Sequence, residues 1–321
     1  MPLKRIHRKI SSSGPVNWLR EKSKKIFLPG FRGLPLYDVL RFFWIQVRKV
    51  GLTERTSAIS FNFILAIPPM VIFLFTLIPY LPISAKFIEQ LYSLVREVIP
   101  GESNYTPIIN FLDGIIKNER YGLLSAGFLL ALFYSSNAMM GIMRAFDKNY
   151  PGFKKRSGLE RRLTALELTL ILFLIMMTSL LLLVMQGAVL GKWIGIKAQW
   201  MITMIENLRW VVIVFLFLAS VSFIYRHAPF VQKKWRLINP GSVLAATLML
   251  LFTILFSYWV NHFSNYNELY GSLGSILLLM LLIYVNSLVL LIGFELNVSI
   301  NSLIHEADER KKMETSGKAS V

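Results

Sequence analysis

The sequence predicts an all-α membrane protein that crosses the bilayer six times, with both termini in the cytoplasm and amphipathic helices at the membrane interface. Of its 321 residues, 55% are hydrophobic and 17% are charged, whereas soluble domains carry about 25% charged residues. The apolar residues form long runs, and a membrane-spanning helix needs roughly 20 mostly apolar residues. Six stretches meet this requirement: residues 57–80, 121–145, 163–190, 209–225, 237–260 and 273–301.

The distribution of Lys and Arg predicts the orientation, because these residues are retained on the cytoplasmic side of a membrane. Of the 35 Lys and Arg residues, 28 lie before the first stretch, in or at the edge of every second connector, or in the tail, and seven lie in or at the edge of the intervening connectors. This alternation predicts a basic cytoplasmic segment over residues 1–34, a membrane domain over 35–301, an external loop over 81–120 and a polar cytoplasmic tail over 302–321.

Composition also limits the chemistry. The chain has no cysteine, its four histidines are scattered, and most of its carboxylates lie in connectors or tails. Without a cluster of His or carboxylates, the residues predict no metal site, no cofactor and no enzyme activity. The sequence pI near 10 suggests nucleic-acid binding at first sight. However, the charges are spread over four separate cytoplasmic segments, which argues against a nucleic-acid partner. We expect anionic lipid headgroups to bind the basic N-terminal segment instead.

Two regions outside the spans show helical periodicity. Residues 36–50 place Trp and Phe on an apolar stripe opposite cationic residues, which is typical of a helix in the membrane interface or packed on the bundle ends. In the external loop, residues 87–99 repeat apolar side chains at helical spacing. Thr106 and Pro107 then resemble an N-cap followed by Pro at the first helical position. The loop therefore predicts two short helices that cap the outer side.

The first span contains two adjacent prolines in its middle, Pro68 and Pro69. Each lacks an N–H group and crowds the carbonyl four residues earlier, at Ile64 and Leu65. The freed carbonyls need partners, because hydrocarbon offers none. The pair predicts either a broken helix beside a substrate path or a static packing kink.

Small and polar residues also mark the second span. Asn137 and Gly141 are four residues apart and share a helix face, which suits a polar pathway or close helix packing. Arg144 and Asp147 are three apart near the cytoplasmic end, where we expect them to pair.

A stripe of small and polar residues runs along the last span. At 100° per residue, Ser275, Asn286, Gly293 and Asn297 fall within about 40° of one another. The stripe must face protein or water. Glu295 lies nearly opposite Asn286, and a carboxylate in a span is by default a functional candidate. We expect either that role or an interfacial anchor that reaches water, both for Glu295 and for Glu167 in the third span.

Two further motifs flank the last two spans. Asn239, Pro240 and Gly241 form a helix-start motif of an N-cap, a Pro at the first turn and a small residue, which suits either anion binding or a well-capped start. The connector before the last span has no Lys or Arg, and its aromatic and glycine residues predict an external mouth: Tyr266, Tyr270, Gly271 and Gly274.

Three segments carry a family resemblance: "TSAISFNFILAIPPMVIF", "YRHAPFVQKKWRLINPGSVLAA" and "FSNYNELYGSLGSILLLMLLIYVNSLVLLIGFELN". They resemble the YihY/virulence factor BrkB family, whose members have often been labelled ribonuclease BN. The likeness extends from about residue 36 to 301. It implies six spans in the bacterial cytoplasmic (inner) membrane. It does not imply a settled activity.

The leading functional hypothesis is a non-enzymatic membrane protein that handles or transports an envelope-related solute or lipid. The alternatives are a structural or partner-binding membrane protein, and a ribonuclease. Transport predicts a cavity that is lined both by the stripe of Ser275, Asn286 and Asn297 and by the Pro68–Pro69 region. Direct bonds from the stripe to neighbouring helices would instead indicate packing.

Overall fold

The computed structural model describes residues 21–26, 30–31, 33–49, 51–80, 85–98, 102–116, 121–147, 153–154, 156–184, 199–231, 234–263 and 272–318. In the described part the chain is almost entirely helical. We number the helices in chain order: α1 Leu36–Lys49, α2 Leu52–Leu77 with a 3₁₀ turn at Ile78–Tyr80, α3 Ala85–Val98, α4 Glu102–Ile116, α5 Tyr121–Phe146, α6 Gly158–Val184, α7 Gln199–His227, α8 Pro240–Phe263 and α9 Ser272–Lys318.

Six of the described helices are long and apolar enough to cross a membrane, which confirms the prediction of an all-α fold with six spans. The spans are Leu52–Tyr80, Tyr121–Phe146, Gly158–Leu182, Trp210–His227, Pro240–Val260 and Ile276–Glu309. α9 continues as helix to Lys318, well past the apolar residues, so the described part of the tail is helical.

The main core lies where α2, α5, α6, α7, α8 and α9 meet. Its centre is a group of aromatic rings. Phe146 and Phe294 stack with centroids 3.9 Å apart and planes 5° apart, and Tyr225 and Trp235 pack edge-on or tilted around them. These rings lie at one end of the spans. We call this end the basic side, and it contains α1, the described residues of the α5–α6 and α7–α8 connectors, and the end of α9.

The connectors of the basic side are held to each other by hydrogen bonds. Phe153 and Val231 form an isolated antiparallel β-bridge. Arg156 donates to the carbonyls of His227 (3.1 Å) and Ala228 (3.0 Å), and thereby satisfies acceptors that the end of α7 leaves unpaired. Burial lowers the pKa of Arg156 from its ordinary value. The bonds fix the end of α7 to the start of α6.

α1 lies against α9 on the basic side. Val39 is fully buried with Phe31, Leu296 and Ile300, whereas Trp44 on the same helix is 56% exposed. The helix is thus both packed on the bundle and partly available to the membrane interface. Ahead of α1, Gly30 has a φ of 92°, and a Cβ there would lie 2.8 Å from the ring of Pro240. Only glycine fits this approach.

α2 runs without interruption through Pro68 and Pro69. The broken-helix interpretation is therefore wrong for the backbone. α2 pairs extensively with α5, where Gly127 lets the helices approach: a Cβ there would lie 3.4 Å from the Cα of Phe73. Tight packing against a neighbouring helix stabilises the proline-containing turn.

α3 and α4 form a small cap at the other end of α2. Tyr92, Leu112 and Ile116 are buried together, and the Tyr92 hydroxyl donates to Asp113 Oδ1 at 2.8 Å. Two helices were predicted here, but α4 begins at Glu102 and includes Pro107 in its interior. The predicted helix start at Thr106 is wrong.

Candidate functional site

The helix-start motif of α8 and the stripe of α9 meet at one point. A Cβ on Gly241 would overlap the carbonyl oxygen of Gly293, and a Cβ on Gly293 would lie 2.6 Å from both the Gly241 carbonyl and the Tyr225 hydroxyl. That hydroxyl donates to the carbonyl of Leu290. The two backbones touch because neither glycine has a side chain. We call this contact the sealed crossing.

Two asparagine side chains complete the sealed crossing. Asn297 accepts a bond from the Gly241 N–H (2.9 Å) and donates to Asn239 Oδ1 (2.6 Å). Asn239 Oδ1 also accepts from the Ser242 N–H (2.8 Å). The Asn239 amide group donates back to the carbonyl of Arg236 (3.1 Å). Because Pro240 has no N–H, the donors that an anion would use are occupied, which favours the capped start over anion binding.

The outer part of the stripe behaves differently. Asn286 is half-buried, and its amide N–H donates to the Leu282 carbonyl of its own helix at 3.0 Å. Its Oδ1 is buried and has no hydrogen-bond partner in the described part of the chain. Gly274 is buried in α9, and Ser275 is described only as backbone of that helix. Tyr266, Tyr270 and Gly271 lie outside the described residues.

Next to the sealed crossing lies a groove of about 780 Å³ between α1, the start of α8 and α9. Its size falls within the roughly 300–1,000 Å³ typical of ligand pockets. The walls are mostly apolar, and Leu40 (48%), Ile238 (56%) and Val243 (44%) are exposed along it. We call it the α1–α8 groove, and it is lined by Gly30, Phe31, Leu36, Leu40, Phe43, Trp235, Arg236, Ile238, Asn239, Pro240, Val243, Leu244, Thr247, Leu296, Asn297, Ile300 and Asn301.

The polar groups of the groove lie on the basic side. Arg236 is exposed, and its guanidinium has no ion-pair partner among the described residues. Asn301 donates to the Asn297 carbonyl at 2.8 Å. Pro68 and Pro69 do not line this groove. The cavity that Asn297 borders therefore differs from the shared path that transport through the bundle predicted.

Asn137 and Gly141 contact two different helices. Gly141 faces α2, where a Cβ would lie 3.2 Å from the Asn62 amide nitrogen. Asn137 faces α6 and accepts a bond from Arg162 Nη1 at 2.6 Å. The expected Arg144–Asp147 pair is wrong, because Asp147 Oδ2 bonds to Arg161 Nη2 at 2.6 Å.

The two candidate carboxylates differ in exposure. Glu295 is fully buried in the basic end of α9, so the expectation that it reaches water is wrong. Its neighbour Phe294 is also buried and stacks on Phe146 in the main core. Glu167 is exposed on α6, and its role as a functional carboxylate or as an interfacial anchor stays a prediction.

Comparison with known proteins adds the family. The family model "Virulence factor BrkB" matches residues 43–318, which is most of the chain. The chain belongs to the BrkB family. BrkB-family relatives include the ribonuclease-like protein YfkH of Bacillus subtilis (strain 168), which is 29% identical over 81% of this chain and 91% of its own length. A UPF0761 membrane protein of Tolumonas auensis is 25% identical over 81% and 84%. No solved structure matches this BrkB-family chain.

Sequence reasoning missed three residues that the structure singles out: Arg162, Arg236 and Val243. Arg162 carried a usable signal, because it lies only four residues inside a helix that becomes almost wholly apolar. Arg236 and Val243 carried none, since the wall opposite them is α1, which is distant in sequence.

Proposed function

We propose that this BrkB-family protein is a non-enzymatic protein of the bacterial inner membrane that handles phospholipid, with both termini in the cytoplasm. The α1–α8 groove is the observation that carries the proposal. It combines exposed apolar walls with the exposed guanidinium of Arg236, which has no ion-pair partner among the described residues. A phospholipid requires such walls for its acyl chain and such a cation for its phosphate.

The lipid occupies the groove with an acyl chain against Leu40, Val243 and Leu244. Its phosphate lies at the basic side, next to Arg236. Charge complementarity supports this direction, because the headgroups of an anionic leaflet attract exposed Arg and Lys. α1 forms one wall and is itself partly exposed, so the groove is continuous with the membrane interface.

Lipid retention after mild extraction tests the proposal. Val243→Trp fills the groove, whereas Val214→Trp adds the same ring at a comparably exposed position outside it (44% and 47% exposed). Native mass spectrometry should find phospholipid bound to the wild type and to Val214→Trp, and less of it on Val243→Trp. Equal retention by the two variants would refute lipid binding in the groove.

The orientation has its own test. Since the chain has no cysteine, single cysteines are informative without background. Met313→Cys lies on exposed α9 surface, and Thr106→Cys lies on exposed α4 surface. A membrane-impermeant maleimide added to intact cells, with the outer membrane permeabilised, should label Thr106→Cys and not Met313→Cys. The reverse pattern would place the termini outside.

The structural alternative is favoured by the sealed crossing, which uses the stripe to pack helices. It predicts no bound lipid in the native mass spectrum of the wild type.

The ribonuclease alternative takes its support from the name of the YfkH relative. The described residues contain no cluster of three His, Cys, Asp or Glu. RNA degradation by purified protein that is lost in Glu167→Gln, whose carboxylate is exposed, would establish it.

A further inference from the structure

A second polar site lies on the bundle surface between α5 and α6, away from the α1–α8 groove. Its centre is the guanidinium of Arg162, whose Nη1 donates to Asn137 Oδ1 (2.6 Å) and to Met140 Sδ (3.4 Å). The same guanidinium lies 5.1 Å from the ring centroid of Phe133. Phe133, Asn137, Met140 and Arg144 share one face of α5, because they are spaced by four, three and four residues.

The guanidinium of Arg162 lies far from the end of α5 for a charged group in a span. Asn137 lies nine residues before the end of α5 at Phe146, which corresponds to about 13 Å along the helix axis. The hydrocarbon core is only about 30 Å thick. Arginine near a helix end ordinarily extends toward the interface, but Arg162 extends along α5 toward Asn137. A charge at this depth is costly unless it has polar partners.

The described part of the protein provides hydrogen-bond partners for only some of the N–H donors of Arg162. A guanidinium has five N–H donors, and the bonds to Asn137 and Met140 both use Nη1. Nε and Nη2 have no partner among the described residues and are not buried. The surrounding surface faces the membrane, since Phe133 is 50%, Leu159 79% and Leu163 66% exposed. In hydrocarbon, the remaining donors need an acceptor that the lipid supplies.

The charged residues around Arg162 indicate which kind of lipid headgroup suits the site. Arg144 is exposed on the same face of α5, one turn beyond Met140 toward the basic side. Asp147, the carboxylate nearest to Arg144 along the chain, is already bonded to Arg161. No described carboxylate forms an ion pair with Arg144 or Arg162. Two guanidinium groups without a counter-ion favour a net anionic headgroup over one that carries an ammonium group.

We propose that Arg162, held by Asn137 and assisted by Arg144, binds the phosphate of an anionic phospholipid that is drawn below the usual headgroup depth of its leaflet. Asn137 positions the guanidinium, and Phe133 covers one of its faces. The N–H groups of Nε and Nη2 donate to two oxygens of the phosphate in a bidentate contact. The site shares no residue with the α1–α8 groove, so neither proposal depends on the other.

The test is a titration of delipidated protein in detergent with phosphatidylglycerol, followed by native mass spectrometry and thermal midpoints. Arg162→Gln should weaken the tightest binding by about tenfold or more, as expected for a lost charge-assisted pair. The matched control is Arg161→Gln, the adjacent arginine, which Asp147 already occupies. The guanidinium of Arg144 forms no hydrogen bond or ion pair with a described residue, so Arg144→Gln should fold normally, and we expect a smaller loss of binding.

Three arms decide the nature of the site. Diacylglycerol with the same acyl chains has no phosphate and should bind wild type and Arg162→Gln alike. Inorganic phosphate should not displace the phospholipid; displacement would assign a general phosphate site and overturn the lipid proposal. Asn137→Ala should lower the thermal midpoint yet still be stabilised by phosphatidylglycerol. If Arg162 only joined α5 to α6, neither wild type nor Asn137→Ala would gain stability from the lipid, which would contradict the proposal.

Discussion

The sealed crossing and the α1–α8 groove both involve α8 and α9. They differ in how closely the neighbouring helices approach each other. At Gly241 and Gly293 the backbones of α8 and α9 touch, and two asparagines close the contact with hydrogen bonds. Next to it, Val243, Leu244 and Ile300 line a groove between α1 and these two helices. Glycine thus lets α8 and α9 touch, whereas the space between them and α1 stays open.

The largest expected effect is a break of the sealed crossing by Gly241→Ala. The new Cβ overlaps the carbonyl of Gly293, and backbone atoms cannot move aside without separating the helices. We expect a loss at or above the upper end of the usual overpacking cost, about 3 kcal/mol. The matched control is Gly122→Ala, which has nothing within 4 Å. Equal thermal midpoints for the two variants in detergent would show that the helices are not in contact.

The next effect separates two members of the predicted stripe. Asn297→Leu leaves the Gly241 N–H without its acceptor, and an orphaned buried group costs about 1–3 kcal/mol. It also removes one of the two donors to Asn239 Oδ1, which keeps its bond from the Ser242 N–H. Asn286→Leu removes only a bond within its own helix, so its thermal midpoint should stay near that of the wild type. A lower thermal midpoint for Asn286→Leu than for Asn297→Leu would show that the helices are held together at the outer part of the stripe and not at the sealed crossing.

These two asparagines also show what could be predicted from the sequence. The long apolar runs determine the six spans, because hydrocarbon requires such runs in every crossing helix. Helical periodicity placed Asn286 and Asn297 on one face, and the structure keeps them there. Periodicity cannot say what lies opposite, and Asn297 meets Asn239, 58 residues away. The same limit applies to Glu295, whose burial depends on the packing around its neighbour Phe294.

A smaller effect is expected in the α1–α8 groove, at Arg236. Arg236→Gln should reduce the preference of the protein for phosphatidylglycerol over phosphatidylcholine by about threefold, because exposed ion pairs contribute up to about 1 kcal/mol. Arg48→Gln is the control, since Arg48 lies on the basic side but stacks on Trp44 (4.9 Å) and does not line the groove. Identical preferences in the two variants would remove Arg236 from the site.

The smallest effect concerns the cap of α3 and α4, which touches neither region. Burial, together with the hydrogen bond to Asp113, raises the pKa of Tyr92 to about 12. The stabilisation by the neutral phenol is therefore fully present below about pH 10, and it is lost as the pH rises through about 12. Tyr92→Phe should cost about 1 kcal/mol at neutral pH and leave lipid retention unchanged. Its stability difference from the wild type should vanish in strongly alkaline solution.

The most direct test of a lipid-filled groove beside a sealed crossing is mapping with a phospholipid that carries a photoreactive group in its acyl chain. After irradiation in vesicles, peptide mass spectrometry locates the attached residues. We predict that attachment is concentrated at Leu40, Val243 and Thr247, and that it falls in Val243→Trp but not in Val214→Trp. Attachment spread evenly over the exposed faces of the spans, with no excess in the groove, would contradict a lipid site there.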